Sequence, residues 1–187
     1  MMAFISAPED PAFFDANRAA AGHVPNFVRT FAARPAVYEA WKQLNGAIKE
    51  SMDLRRYELA TLAAATALKS SYCSLAHGQV LADKFYTAEE VAALAGEPSN
   101  DPVDRAVMAF ARQVALGADT VTQADVDKLK AAGLTDSDVL DVALAAAARA
   151  FFSKTLDATG TQPDSVFNGL PDVLRTALTV GRPIYSG

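Results

Sequence analysis

Residues 55–81, RRYELATLAAATALKSSYCSLAHGQVL, decide how this chain is read. The first half is an alanine- and leucine-rich run with no strand-like alternation, the composition of a buried helix. Ser70 and Ser71 interrupt it, and serine is a favoured residue at a helix start. A second helix is expected from Tyr72 to about Lys84. It holds Cys73, the one cysteine of the chain, and His77, one of its two histidines. Four residues apart on a helix, the two side chains project from one face, one turn apart.

That pairing has a chemistry. With Ser70 or Ser71 at the cap, Cys73 falls in the first turn, where unpaired amides and the helix dipole favour an anion. His77 can serve as proton acceptor or as a cationic neighbour. A thiolate attacks a peroxide oxygen and is left as a sulfenic acid. Glu58, opening the apolar run, can orient His77 and raise its basicity as third member of a relay. Glu58 stands fifteen residues before Cys73. On one straight helix that is about 22 Å of rise. A same-chain relay therefore requires a break near Ser70, with the second helix folded back. Each residue also has a plainer reading. A lone cysteine in a helical protein is more often an inert buried residue than a nucleophile. A single histidine is usually a hydrogen-bonded boundary residue. Glu58 alone reads as a solvated charge, and Tyr72 as core.

The chain of 187 residues is 51% hydrophobic with a net charge of −5, which suits one soluble domain, or one domain with a packed extension. The acidic balance offers no electrostatic reason to expect nucleic acid or an anionic membrane as partner. No charge-free stretch is long enough to span a bilayer. The N-terminus MMAFISAPEDPAFF lacks the basic flank and apolar core of a signal peptide. One cysteine permits no internal disulfide, so a cytoplasmic location is expected. No metal site is expected, because one Cys and one His at this spacing are too few ligands and His23 is distant in sequence. No glycine-rich phosphate loop or nucleophile elbow appears, and no cofactor is expected.

The rest of the chain reads as helix throughout. A loose arm covers residues 1–10, and a short helix runs from about Asp10 to Ala20. After a turn at Gly22–Asn26, a short helix ends near Pro35, which opens the next one. In that helix Val37, Trp41, Leu44 and Ile48 recur at helical spacing and are expected to face the core. Asp53 is the expected cap of the central stretch. Thr87–Glu90 resembles a capping box. Asn100–Pro102 opens a helix with Val103, Val107, Phe110 and Val114 on one face. Thr122 and Thr135 start two more, the last running to about Leu156 through alanines that imply close helix packing. The tail, rich in proline and glycine, is expected to wrap the domain or a neighbour, with a helical turn at Asp172–Thr179. Phe27, Phe31, Trp41, Phe151 and Phe152 line a pocket or, the plainer expectation for each, fill the core.

The stretch resembles the core of the alkylhydroperoxidase D/carboxymuconolactone decarboxylase superfamily, on its peroxidase-related branch. That core has a glutamate, a C-x-x-C pair, and a histidine four residues after the second cysteine. Here Glu58 stands twelve residues before Ser70, fifteen before Cys73 and nineteen before His77, the same spacing. Residues 22–41, GHVPNFVRTFAARPAVYEAW, resemble the usual lead-in. The stretch AFARQVALGADTVTQADVDKLKAAGLTDSDVLDVALAAAA resembles the usual second half. The resemblance implies an all-α, AhpD-like multi-helix domain over 1–187: arm and first helix in 1–21, family core in 22–160, wrapping tail in 161–187. It also implies assembly into homo-trimers or homo-hexamers. The departure is Ser70, which replaces the first cysteine. The family's pair cycles between dithiol and disulfide and is regenerated by a thiol or lipoyl-type reductant. Ser70 cannot form that disulfide. What the resemblance carries over is Glu58 and His77 as proton relay and Cys73 as thiolate, with Ser70 as a hydrogen-bond donor to it.

Two functions follow from these residues. In one, Cys73 reduces hydrogen peroxide or a small organic hydroperoxide and an external thiol or lipoyl-type reductant restores it. In the other, the chain has lost peroxidase chemistry and is a helical oligomer that binds a small molecule or carries a drifted, decarboxylase-like activity.

Overall fold

The computed structural model describes residues 2–18 and 22–187. Those residues form ten α-helices and no strand: α1 (Pro11–Arg18), α2 (Asn26–Phe31), α3 (Pro35–Glu50), α4 (Leu54–Ala67), α5 (Ser71–Lys84), α6 (Ala88–Gly96), α7 (Pro102–Gly117), α8 (Gln123–Ala131), α9 (Asp136–Ala158) and α10 (Asp172–Leu178). Short 3-10 turns at Ala118–Thr120 and Ser165–Gly169 join them. The expected end of the first helix at Ala20 lies outside the described residues. No helix among the described residues is long and apolar enough to cross a membrane.

The fold is built around α4. Asp53 caps it, its carboxylate accepting the Arg56 N–H at 3.0 Å. From Leu59 to Ala65 every residue is fully buried. A helix buried on all sides belongs in the middle of a bundle. Its alanines keep it thin, so α5, α7 and α9 pack against it together.

The chain reverses between α4 and α5. Lys69 adopts the left-handed conformation at φ 56°. The Lys69 N–H donates to Thr66 O and the Ser70 N–H to Ala65 O, both at 3.0 Å. This bond pair is the Schellman stop, which closes a helix and turns the chain away from its axis. α5 then lies back along α4.

The tail packs on its own chain. α10 lies against α5 and α6. It comes so close that a Cβ on Gly78 would meet Leu178 Cδ1 at 2.2 Å. Beyond it, Gly181 sits against the α4–α5 turn and donates its N–H to Ser71 Oγ at 2.8 Å. The N-terminal arm joins the same region through Phe4 N–H to Thr159 O, 2.7 Å, and Gln162 N–H to Met2 O, 3.0 Å.

Two burial expectations are corrected. Trp41 and Ile48 of α3 are buried, but Val37 is 44% and Leu44 is 52% exposed. Phe151 of α9 is 46% exposed, whereas its neighbour Phe152 is buried. Helical periodicity marks an apolar stripe, but only tertiary packing covers it. α3 lies at the edge of the bundle, with Trp41 stacked on Phe152 at 5.0 Å and Phe151 on the outer side of that contact.

Candidate active site

The α4–α5 hairpin brings Glu58 to His77, with Nδ1 2.5 Å from Oε2. Glu58 is buried, against its reading as a solvated charge. Its other oxygen, Oε1, is 3.3 Å from Lys49 Nζ at the end of α3. Burial pushes the Glu58 carboxyl up, but His77 and Lys49 outweigh it and hold the group below the usual carboxylate range. For His77, burial and then the charge of Arg149 push downward, and the pull of Glu58 does not offset them. The pair is thus an ionised carboxylate and a neutral imidazole at neutral pH. In that state Nδ1–H donates to Glu58, and Nε2 keeps its lone pair to accept a proton.

Cys73 lies in the first turn of α5 and is 2% exposed. The hydrogen bond that reaches its sulfur comes from an unanticipated residue. Arg149 of α9 donates from Nη1 to Sγ at 3.6 Å and from Nη2 to Tyr57 Oη at 3.4 Å. The Tyr57 hydroxyl in turn donates to Asn45 Oδ1 at 2.7 Å. The guanidinium also lies 5.7 Å from the ring centres of Trp41 and Phe152. Tyr57 meets the His77 ring edge-on at 6.0 Å. Burial works against the Arg149 charge, yet Cys73 and Tyr57 beside it keep its pKa above the ordinary guanidinium value.

Ser70 occupies the N-cap position of α5, but its hydroxyl makes no capping bond. Oγ is fully buried and has no hydrogen-bond partner of normal geometry among the described residues, Cys73 included. It leans instead toward Asp157. Burial raises that carboxyl, and Ser70 and Arg182 pull against the rise. The structure therefore unites Glu58 with His77, puts Cys73 beside Arg149, and leaves Ser70 out of both contacts.

Sequence reasoning missed Arg149, Tyr57, Lys49 and Asn45. For Arg149 a signal existed: it is the one charge between Asp141 and Lys154, in the alanine-rich run of α9. A charge there must be buried with a partner. The other three carry no local signal: Lys49 and Asn45 stand in the ordinary amphipathic setting of α3, and Tyr57 opens a buried run where an aromatic reads as core.

A separate open cavity of about 690 Å³ is lined in part by His23, Asn26, Arg29, Asp164 and Tyr185. The Asp164 carboxylate at its edge accepts the Asn26 N–H at 2.7 Å and the Tyr72 hydroxyl. None of the residues expected to react lines it.

Residues 35–99 match the model of the carboxymuconolactone decarboxylase family. That segment includes Glu58, Ser70, Cys73 and His77 but stops before Arg149. Among solved structures, the chain is similar to an alkylhydroperoxidase AhpD core, an uncharacterised peroxidase-related protein from Ralstonia eutropha. The two are 24% identical, 89% of this chain and 95% of that one are covered, and the TM-score is 0.79. An uncharacterised peroxidase-related protein from Silicibacter is 19% identical, with 90% and 95% covered and a TM-score of 0.79. A debrominase, solved as a cysteine-to-alanine variant in complex with 2,3,4-tribromopyrrole, is 16% identical, with 93% and 95% covered and a TM-score of 0.72. At these identities the likeness is one of fold. No curated protein matches the sequence.

Proposed function

We propose, from the match of residues 35–99 to the carboxymuconolactone decarboxylase family model and from the AhpD-like fold, that the chain is a one-cysteine peroxidase acting on hydrogen peroxide or small organic hydroperoxides. The observation that carries this reading is the 2.5 Å contact of His77 with a buried Glu58, held one turn from the sole cysteine. His77 Nε2 accepts the Cys73 proton. The sulfur attacks one peroxide oxygen, the O–O bond breaks, and the departing oxygen takes the proton back from His77 and leaves as water or an alcohol. Cys73 is oxidised by two electrons to sulfenic acid. An external thiol or lipoyl-type reductant attacks that sulfur, expels water and forms a mixed disulfide, and a second thiol releases Cys73. At 2% exposure the Cys73 sulfur is more readily reached by a slender thiol or lipoyl arm than by the sulfur of a second folded copy, which favours an external reductant over an intersubunit disulfide.

The protein acts in this reading as a homo-trimer or homo-hexamer in the cytoplasm. The exposed Leu140, Leu144 and Phe151 of α9, beside Val37 and Leu44 of α3, support assembly, because apolar side chains of that size are normally covered. Light scattering coupled to gel filtration checks the assembly, and a monomer at micromolar concentration would refute it.

A second reading is a member without peroxidase chemistry that binds a small molecule or has a drifted, decarboxylase-like activity. Ser70 in place of a second thiol supports it, as does a debrominase in the same fold. Intact mass spectrometry after a brief hydroperoxide pulse with a sulfenic-acid trap separates the two. Rapid stoichiometric trapping at Cys73 supports the peroxidase. A Cys73 that stays a thiol eliminates it and directs the search to ligands.

A further inference from the structure

We propose that Arg149 is the cationic partner of the Cys73 sulfur, the group that holds the sulfur anion in place for attack. The inference deepens the peroxidase reading of the same site. Arg149 is 5% exposed. Among the described residues it forms no ion pair with a carboxylate; burial works against its charge, and Cys73 and Tyr57 favour it. A buried guanidinium without an anion is costly, on the order of several kcal/mol. Tyr57 does not supply the anion, because its hydroxyl proton is engaged with Asn45 Oδ1 at 2.7 Å. That leaves the sulfur, 3.6 Å from Nη1. The Nε of Arg149 is buried and has no hydrogen-bond partner among the described residues, so neutral groups there do not satisfy the whole guanidinium. The rings of Trp41 and Phe152 hold the fork in position.

The other charged or titratable groups around the sulfur do not replace it. Lys49 of α3 is committed to Glu58 at 3.3 Å, and Glu58 of α4 to His77. On α5, His77 is held neutral and Tyr72 donates to Asp164. Arg149 reaches Cys73 across 76 residues of sequence, so the site is assembled from two helices far apart in the chain. Ser70, in the first-cysteine position, contributes no bond to the sulfur.

The test uses iodoacetamide and the ultraviolet absorbance of the thiolate, neither of which requires peroxide turnover. Both are followed from about pH 5 to about pH 9 in the wild type, Arg149→Lys and Arg149→Met. Arg149→Met is expected to slow alkylation near neutrality by about tenfold or more and to move its rise to higher pH, with Arg149→Lys retaining the larger part of the rate. A rate and pH profile unchanged in Arg149→Met overturns the proposal. Circular dichroism reports whether that variant folds. If it does not, the decisive comparison is Cys73→Ser against the wild type. The wild type should be the more stable of the two, because Cys73→Ser removes the sulfur that accepts from Arg149, and equal stability overturns the pairing. A protein that passes these tests yet fails to reduce peroxide keeps the pair and loses only the peroxidase reading.

Discussion

His77 Nδ1 stands 2.5 Å from Glu58 Oε2 although nineteen residues of chain separate them. The contact exists because α4 stops at a left-handed Lys69 and α5 returns along it. Replacing Glu58 by Gln keeps the volume and removes the charge that orients the imidazole and offsets Lys49. The rate of Cys73 oxidation by hydrogen peroxide, followed by stopped flow, should fall by about 10- to 100-fold. A rate equal to the wild type's would mean that the pair is structural.

The same pair makes stability depend on pH. Burial, then Arg149, lowers the His77 pKa. Burial raises that of Glu58, but His77 and Lys49 bring it below its ordinary value. Each group binds its proton more weakly folded than unfolded. Its contribution is therefore full above the ordinary value, about 6.5 for His and about 4.3 for Glu, and is lost as pH falls through the folded value. Urea unfolding from about pH 7.5 down to about pH 5 should show a falling midpoint in the wild type and a shallower fall in His77→Gln. Identical slopes in the two proteins would remove His77 as the cause.

The α4–α5 turn and the tail form one joint. A Cβ on Gly181 would lie 2.0 Å from the Lys69 carbonyl oxygen, which is backbone and cannot swing aside. Gly181→Ala should cost about 2 kcal/mol or more in denaturant titration. Lys69→Gly relieves the left-handed conformation and should gain up to about 1 kcal/mol. Gly46→Ala is the control, since nothing lies within 4 Å of its would-be Cβ in α3. It should stabilise by about 0.5–1 kcal/mol. A Gly181→Ala protein as stable as the control would show that the tail does not rest on the turn.

The helix order was legible because helix signals are local. Asp53 and Thr87 announce their caps within four residues, and Leu59–Ala65 announces a buried rod by composition alone. The spacing of Glu58, Cys73 and His77 was legible for the same reason, as was the need for a break before Tyr72. Ser70 read well as a helix start and less well as a partner for the sulfur. A serine's position in sequence does not say where its hydroxyl points.

From the sequence alone came the all-α class, the helix boundaries within a few residues, and three of the candidate site residues, because each depends on neighbours a few residues away. Only the tertiary structure decided that Arg149 meets Cys73, that Lys49 meets Glu58, and that Val37, Leu44 and Phe151 face outward. Those outcomes depend on which helix lies beside which. Packing sets that over distances of tens of residues, and no local pattern encodes it.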